Sequence, residues 1–314
     1  MRSVALIYNP ASGQYSARRA AVVQGVLAVL HQAGVEAEAF ETNAPGSAGS
    51  YAQQAMRRGC DTILACGGDG TVHEILQCLV GTPVALGVVP LGTANALAQN
   101  LGMGSSPVEA VRYLLAATPV KVPVGRIFYC DNAGTEHSRY FTVAAGVGAD
   151  ALLMSRLDAR LKRRFGYILY LVEGLRVWAT HSFPLFEAAF TFNGSGSRRV
   201  EQVSQLLAVR VRSFGGALGK LAPGATLREG TLRLVAFKTR SRLDYLRFLL
   251  AAMAGRQTFS RAVELLEVAS VKCSALDGLC VYVEADGELL GELPVRIEIA
   301  PQNLTLLIPQ HARP

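Results

Sequence analysis

The stretch that decides the fold is Thr-Ile-Leu-Ala-Cys-Gly-Gly-Asp-Gly-Thr-Val-His-Glu-Ile-Leu, residues 62–76. It reads as a buried strand, a loop with three glycines, and the start of a helix. Such a loop suits phosphate, because glycines let backbone N–H groups approach closely and the amino end of a helix carries partial positive charge. Asp69 repels phosphate, so we predict that it holds Mg²⁺ on the phosphates or orients an attacking hydroxyl.

The residues on either side of this stretch alternate between strand-like and helix-like patterns. Apolar runs predict strands at 3–8, 35–41, 61–66 and 84–89. Apolar spacings of three and four predict helices at 16–33, 47–58 and 71–80. This alternation indicates a parallel sheet with helices on both faces.

The pattern changes after Pro119 and Pro123. Longer strand-like runs follow at 120–129, 139–145, 185–192, 203–211, 231–237, 263–271, 279–284 and 295–299. Helical patterns interrupt them only at 150–179 and 243–254. The second half is therefore predicted to be antiparallel β sheet.

Composition excludes disordered and fibrous classes. The 314 residues are 50% hydrophobic and 18% charged, with 31 Lys and Arg against 24 Asp and Glu, for a net charge of +7. The cysteines and histidines lack metal-site spacing. The amino terminus lacks the features of a signal peptide, and the apolar run 246–255 is shorter than the roughly 20 residues that span a bilayer. We expect a cytoplasmic protein whose membrane contact is peripheral.

Two more polar loops follow predicted strands, at 9–13 and 90–95. Thr42 lies just beyond the second strand. Each loop alone would be an ordinary turn, and Asp69 or Thr71 alone an ordinary helix cap. Together they would meet at the carboxyl edge of the sheet, where open α/β sheets bind ligands, which favours a nucleotide pocket. A P-loop is absent from the sequence, and 146–151 matches the dinucleotide fingerprint only weakly.

Six ordered motifs resemble those of the diacylglycerol-kinase catalytic family, which includes bacterial lipid kinases and sphingosine kinases and is more distantly related to NAD kinases and phosphofructokinases. The motifs are Asn9-Pro10-Ala11-Ser12-Gly13, Gly67-Gly68-Asp69-Gly70-Thr71, Pro90-Leu91-Gly92-Thr93-Ala94-Asn95, Gly146-Val147-Gly148-Ala149-Asp150-Ala151, Ala222-Pro223-Gly224-Ala225 and Asp286-Gly287-Glu288. The resemblance covers nearly the whole chain.

The resemblance implies an α/β plus β architecture. A Rossmann-like α/β domain of the NAD-kinase and phosphofructokinase type would span 1–122, be completed by 302–314, and bind ATP. A β-sandwich-like domain, 123–301, would present the lipid. The implied activity is ATP- and Mg²⁺-dependent transfer of the γ-phosphate to a lipid hydroxyl.

The resemblance also implies roles for individual residues. The implied ATP-binding residues are Asn9, Ser12, Thr42, Gly67, Gly68, Asp69, Gly70, Thr71, Val72, His73, Thr93 and Asn95. Glu288 corresponds to the general base, a role that suits an alcohol losing its proton as it attacks phosphorus; the alternative is a plain Asp-Gly hairpin turn. Asp150 and Lys162 would contact the substrate, although Asp150 would equally suit a helix start.

The chain departs from the family pattern at two places. Ala96 stands where many bacterial members have Asp and sphingosine-kinase-like members have Ala, which weakens the case for diacylglycerol itself and keeps a long-chain base, monoacylglycerol or another lipid alcohol open as the acceptor. The family's structural Mg²⁺ loop usually reads Asp-Gly-x-Leu-Asp, whereas 229–233 reads Glu-Gly-Thr-Leu-Arg. Thr226, Glu229 and Thr231 are the predicted ligands of that metal, and Arg233 opposes it.

Basic residues accompany apolar ones at 152–172 and 238–250, which favours contact with anionic lipid, the alternative being a solvated helix face. We expect no nucleic-acid partner, and a homodimer is left open. Three rival functions remain: a sphingoid-base kinase, a kinase for a soluble acceptor such as NAD, and a nucleotide- or lipid-binding regulator without catalysis.

Overall fold

The computed structural model describes residues 1–10, 19–131, 133–157, 167–194, 196–214, 221–256, 259–276 and 278–312. The chain divides into two compact units, Met1–Pro123 with Pro301–Pro314, and Val124–Ala300. The sequence of the second unit is therefore inserted within that of the first. None of the helices in these described ranges is long and apolar enough to cross a membrane.

The first unit is an α/β layer structure. Its strands are β1 (Ser3–Tyr8), β2 (Glu36–Glu41), β3 (Thr62–Gly67) and β4 (Ala85–Pro90). Its helices are α1 (Arg19–Gln32), α2 (Ser47–Arg57), α3 (Asp69–Leu79), α4 (Ala96–Asn100) and α5 (Pro107–Leu115). The strands are parallel in the order β2-β1-β3-β4. Every residue of β3 and β4 is buried, as expected for parallel strands covered on both faces.

Two long strands connect the units along the chain, β5 (Thr118–Cys130) and β16 (Val295–Ile308). The last part of β16 belongs to the first unit, where Leu306 pairs in parallel with Leu86 of β4. The first unit's sheet is therefore completed by the carboxyl-terminal part of the chain.

The second unit is a β sandwich with three described helices. Its other strands are β6 (Glu136–Phe141), β7 (Ala144–Val147), β8 (Phe186–Thr191), β9 (Arg198–Val203), β10 (Gln205–Val209), β11 (Leu232–Phe237), β12 (Val263–Val268), β13 (Ser270–Ser274), β14 (Tyr282–Ala285) and β15 (Glu288–Glu292). Its helices are α6 (Ala149–Arg156), α7 (Tyr167–Thr180) and α8 (Arg242–Met253).

The sandwich core lies between two antiparallel sheets. One has the order β12-β11-β10-β7-β14-β15, and the other contains β13, β8, β9 and the first part of β16. Buried side chains from both sheets, such as Leu206 and Val283 from the first and Phe190 and Ile297 from the second, form one cluster. The predicted α/β plus β architecture is confirmed.

The structure differs from the sequence prediction where the chain changes sheets. The predicted strands 203–211 and 263–271 are each interrupted, the first by Ser204 and the second by Ala269. Before each break the chain pairs in one sheet, and after it in the other. The predicted strand 139–145 likewise divides into β6 and β7. The helix predicted at 150–179 ends at Arg156, because Leu157 has extended backbone angles, and α7 begins at Tyr167.

Candidate functional site

The carboxyl ends of four parallel strands meet at one edge of the first unit's sheet. In this edge β1 ends at Tyr8, β2 at Glu41, β3 at Gly67 and β4 at Pro90. Asn9, Thr42 and Gly68 directly follow three of these ends. The described residues that the sequence predicts to bind a nucleotide thus belong to segments at this edge, where parallel sheets bind ligands.

Asp69 connects the two glycine-containing loops of this edge. It is the first residue of α3, and its Oδ1 accepts a hydrogen bond of 2.7 Å from the Ala96 N–H, which begins α4. Leu91 N–H donates to Gly67 O at 2.9 Å. A carboxylate is therefore fixed between the loops 67–71 and 90–95, beside a helix amino end that favours negative charge.

The two loops touch through glycines that have no room for a side chain. Between the loops, a Cβ on Gly92 would lie 2.4 Å from Gly68 Cα. Within the first loop, a Cβ on Gly67 would lie 2.3 Å from Thr71 Oγ1. Contact between main chains brings amide groups close to the surface that a phosphate would approach. Any larger residue at Gly92 would separate the loops.

Asn95 holds the second loop in shape. Its backbone is left-handed, with φ 48°. Its Oδ1 accepts from Gly92 N–H at 2.9 Å, and its Nδ2 donates to Gly92 O at 2.8 Å. Asparagine tolerates this conformation because its short amide side chain bonds locally. Asn95 is therefore a scaffold of the loop as well as a residue of its surface.

A cleft of about 590 Å³ opens beside this loop. It is lined by Pro90, Gly92, Thr93, Asn95, Gln99, Gly104 and Ser105. Its volume lies in the range of small-molecule sites. Thr93 is exposed toward solvent and can donate a hydroxyl hydrogen bond, whereas Thr71, Val72 and His73 are buried on α3.

Thr42 and Gly70 are the other predicted nucleotide residues that the structure describes. The Thr42 side chain is buried, and its N–H donates to Tyr8 O at 2.9 Å. Gly70 lies in the first turn of α3, where backbone N–H groups have no acceptor within the helix and are available to a ligand. Ser12, and Lys162 of the second unit, lie outside the described residues.

The candidate base Glu288 follows a two-residue hairpin turn in the second unit. Asp286 and Gly287 both have positive φ, 50° and 83°, as a type I′ turn requires, and Ala285 pairs with Glu288 across it. Glu288 begins β15 and is exposed. The hairpin predicted as the alternative is present, and it places a carboxylate at the rim of a sheet.

Two other carboxyl groups lock this turn. Asp286 accepts backbone hydrogen bonds from Thr142, Val143 and Ala144, at 2.8 to 3.1 Å. Glu284 Oε2 accepts from Gly287 N–H at 2.7 Å. These directed hydrogen bonds hold the turn that carries Glu288 against residues 142–144.

Asp150 and Glu284 form a buried carboxyl pair beside this turn. A Cβ on Gly146 would lie 1.5 Å from Asp150 Oδ2 and 2.9 Å from Glu284 Oε1, so the two carboxyl groups are close neighbours above that glycine. Both Asp150 oxygens are shielded from solvent, and neither has a hydrogen-bond partner of good geometry. A ligand that donates hydrogen bonds would satisfy them.

Burial shapes the ionisation of this pair. It raises the pKa of Asp150 from 3.8 to about 7, although the backbone N–H groups of Asp150 and Ala151 oppose the shift. Burial, and then the charge of Asp150, raise the pKa of Glu284 well above its usual range. The pair therefore retains a proton at neutral pH, because two adjacent carboxylates cannot both ionise at low cost.

This pair predicts a pH dependence of stability. The folded protein holds more protons than the unfolded chain between about pH 4 and 7, so stability should fall as pH rises through that window. We expect Asp150→Asn to remove much of that fall, which is on the order of a few kcal/mol. Calorimetric melting temperatures at pH 5 and pH 8 measure it, with Glu36→Gln, an exposed carboxylate of β2, as the control. Parallel pH dependence in all three proteins would contradict the assignment.

Sequence reasoning missed Glu284, Arg210 and the carboxylate of Glu74, which accepts from Gly46 and Ala48 at the start of α2. The signal for the first two is a lone charged residue inside an apolar strand-like run. Such a residue is rarely buried without a partner, and both are buried here.

The predicted structural-metal residues already have partners. The Thr231 carbonyl accepts from the Arg210 guanidinium at 2.8 Å, and Glu229 forms an ion pair of 3.3 Å with Arg233. The Thr226 carbonyl accepts from Glu229 N–H at 3.4 Å. Among the described residues, no three His, Cys, Asp or Glu side chains are grouped to hold a metal. This loop does not fit a divalent cation.

Comparisons with known proteins agree with the architecture. Residues 3–127 match the diacylglycerol kinase catalytic domain, and residues 142–308 match the YegS C-terminal NAD kinase beta sandwich-like domain. The chain is 27% identical over 312 residues to "Diacylglycerol kinase" of Bacillus subtilis (strain 168), covering 99% of this chain and 97% of that one. It is 29% identical over 314 residues to "Diacylglycerol kinase" of Mycobacterium tuberculosis (strain CDC 1551 / Oshkosh), covering 98% and 96%.

Solved structures share the fold. A diacylglycerol kinase from Bacillus anthracis str. Sterne superposes with a TM-score of 0.72 at 18% identity, covering 99% of this chain and 98% of that one. Yeast NADH kinase superposes with a TM-score of 0.53 at 10% identity, covering 98% and 83%. The two family models and the curated relatives confirm the predicted resemblance: the chain belongs to the diacylglycerol kinase catalytic family, and it is a lipid kinase, a phosphotransferase that acts on an alcohol group.

Proposed function

We propose that the protein transfers the γ-phosphate of ATP to a hydroxyl of diacylglycerol or a closely related lipid alcohol, with Mg²⁺ as cofactor. The observation that carries the proposal is the Asp69 bridge, which fixes one carboxylate between two glycine loops at the carboxyl edge of a parallel sheet. Relatives named diacylglycerol kinase support the acceptor class.

The first unit would bind the nucleotide. Amide groups of the 67–71 loop and the amino end of α3 would contact the phosphates, and the Thr93 hydroxyl and the cleft beside it would hold more of the nucleotide. A single carboxylate, Asp69, suits a cation that takes most of its ligands from phosphates and water. When bound, Mg²⁺ would neutralise charge that develops on the phosphates.

The second unit would bind the acceptor. The unsatisfied Asp150 carboxyl would hold a polar part of the lipid head, and Glu284 would share its proton. Glu288 would accept the hydroxyl proton while the hydroxyl oxygen bonds to the γ-phosphorus and the bond to the β-phosphate oxygen breaks. The products are ADP and a phosphorylated lipid.

The test is phosphate transfer from radiolabelled ATP with Mg²⁺ to diacylglycerol, monoacylglycerol, sphingosine, ceramide and NAD, the lipids being dispersed in detergent. We expect labelled diacylglycerol or monoacylglycerol. Labelled sphingosine would favour the sphingoid-base kinase, and labelled NAD alone would favour a soluble acceptor. ATP binding without any product would leave a binding role.

We also propose peripheral membrane contact through the α8 outer face, which consists of Leu243, Arg247, Leu250 and Met253. The three apolar side chains are 51%, 55% and 50% exposed. Helical spacing places them on one side of α8, while Phe248 and Ala252 on the other side are buried. An exposed apolar stripe bordered by arginines is typical of helices that lie on anionic lipid.

The positive charge around the α8 outer face favours an anionic lipid surface as its partner over a second copy of the chain. Arg240, Arg242, Arg247 and Arg256 are exposed around this face, and Asp244 is the one acid in the segment 239–256. In a two-fold dimer through this face the same positive charges would oppose each other. Lys238, which the sequence also placed here, instead pairs with Glu201 and Glu264.

The buried side of α8 packs against the part of the second unit that contains Asp150, here called the acceptor end. Tyr245 stacks on Phe183 and Phe237, and its hydroxyl lies 2.8 Å from Ser204 Oγ. It also packs on the cluster around Ala149, where α6 begins with the candidate head-group residue Asp150 next in sequence. A lipid surface on the outer face would thus lie one helix away from that end.

We expect the triple change Leu243→Ser, Leu250→Ser and Met253→Ser to weaken binding to vesicles of phosphatidylcholine and phosphatidylglycerol roughly tenfold or more. Activity on detergent-dispersed lipid should be unchanged. Vesicle sedimentation measures the binding, with Leu279→Ser as the control because Leu279 is also exposed. Equal binding by the triple variant and the control would contradict the assignment.

A further inference from the structure

Arg210 is a buried cation inside the second unit. It follows β10 and is 1% exposed. Its guanidinium donates to the carbonyl oxygens of Thr231 at 2.8 Å and Leu227 at 3.2 Å. Burial lowers the pKa of Arg210 to about 10, and the charge of Glu229 opposes that shift, so the guanidinium is still protonated at neutral pH. The loop 222–231 is therefore closed around a positive charge.

Arg233 provides a second positive charge to the same loop. Its Nε lies 3.3 Å from Glu229 Oε2, and its amino groups lie 3.4 Å from Pro223 O and 3.4 Å from Glu267 Oε2. A Cβ on Gly224 would lie 3.0 Å from Arg233 Cζ, so the guanidinium packs against the glycine backbone. The loop's carboxylate and several of its carbonyls thus face two arginines.

Carbonyl oxygens and a carboxylate that converge in one loop are the donor set of a hard divalent cation. They repel one another unless positive charge lies among them, because each presents negative charge to the others. In this chain two guanidinium groups supply that charge, and each fixes the loop through directed hydrogen bonds. Arg210 cannot be displaced by a metal without leaving a buried cation unpaired.

We propose that Arg210 and Arg233 replace a divalent cation in the 222–231 loop, so that the second unit folds without bound metal and the protein needs Mg²⁺ only together with its nucleotide. The proposal does not depend on which lipid the enzyme phosphorylates. It follows from the contacts of two arginines. Arg210 follows an apolar strand, and Arg233 lies in the segment that resembles the family's metal loop.

The test measures melting temperatures of the nucleotide-free protein with EDTA and with Mg²⁺. We expect the wild-type temperature to be the same in both. Arg210→Met should lower it by about 6 °C or more in either condition, because the Thr231 and Leu227 carbonyl groups lose their buried donor. Arg228→Met is the matched control, since Arg228 is an exposed arginine of the same loop.

A second variant keeps the proposal testable if Arg210→Met does not fold. Arg233→Asp removes one cation and adds an acid beside Glu229, so we expect it to acquire a melting temperature that rises with Mg²⁺. Binding of Mn²⁺ to the nucleotide-free proteins gives an independent readout. Stabilisation of the wild type by Mg²⁺ without nucleotide, together with one bound Mn²⁺ that Glu229→Gln abolishes, would overturn the proposal.

Discussion

Glu288→Gln should reduce lipid phosphorylation by about 10²–10⁴-fold, the usual contribution of a general base. Glutamine keeps the size and polarity of the side chain but cannot take the hydroxyl proton. Glu288 is exposed at the start of β15, and the turn before it is held by Asp286 and Glu284, so the change leaves the hairpin intact. Initial rates with saturating ATP and detergent-dispersed lipid measure the effect.

The control for this substitution is Glu292→Gln, at the other end of the same strand. It should retain wild-type rates, and both variants should keep the wild-type melting temperature and nucleotide affinity. A Glu288→Gln enzyme with more than a tenth of wild-type turnover would show that another group takes the proton. An Asp286→Asn variant would then be the next to examine, since its carboxylate fixes the turn.

Asp69→Asn should lower turnover by about 10²–10³-fold, comparable to the loss of one preorganised electrostatic group. The asparagine Oδ1 can still accept the Ala96 N–H, so the link between the glycine loops remains and only the charge is lost. Asp69→Ala removes both, and it should also destabilise the first unit by about 1–3 kcal/mol because the buried amide loses its acceptor.

Comparison of these two variants separates the role of the Asp69 charge in turnover from the role of its hydrogen bond in holding the two loops together. Asp61→Asn is the control, because Asp61 precedes the opposite end of β3 and accepts a backbone hydrogen bond from Arg2. If Asp69→Asn retained full activity while Asp69→Ala lost it, the role of Asp69 would be to hold the loops alone. Nucleotide-binding titrations and melting curves of all three variants distinguish the two outcomes.

The first unit could be predicted from sequence because its determinants are local. The buried strands are continuous apolar runs, α1, α2 and α3 have apolar spacings of three and four, and glycine and asparagine stand where the loops need close approach or positive φ. The shorter helices α4 and α5 were not predicted. The 62–76 stretch shows all three features. Parallel pairing then brings the strand ends, and the loops that follow them, to one edge.

The second unit was harder to predict because its determinants lie far apart in sequence. The chain changes sheets at Ser204 and Ala269 without any change in apolar pattern, since both sheets face the same core. The Asp286 carboxylate reaches Thr142, 144 residues earlier in the chain. The Arg210 contacts likewise depend on strand pairing. Glu284 and Arg210 alone left a local trace, each as a charged residue inside an apolar strand-like run.

The insertion of the second unit within the first has a consequence for synthesis on the ribosome. The last strand segment of the first unit's sheet, with Leu306 beside Leu86, leaves the ribosome after the whole of Val124–Ala300. Folding during translation favours segments that are complete. The inserted sandwich can thus mature while the first unit still exposes the open edge of β4, so the nascent chain is most vulnerable to aggregation until residues 301–308 have emerged.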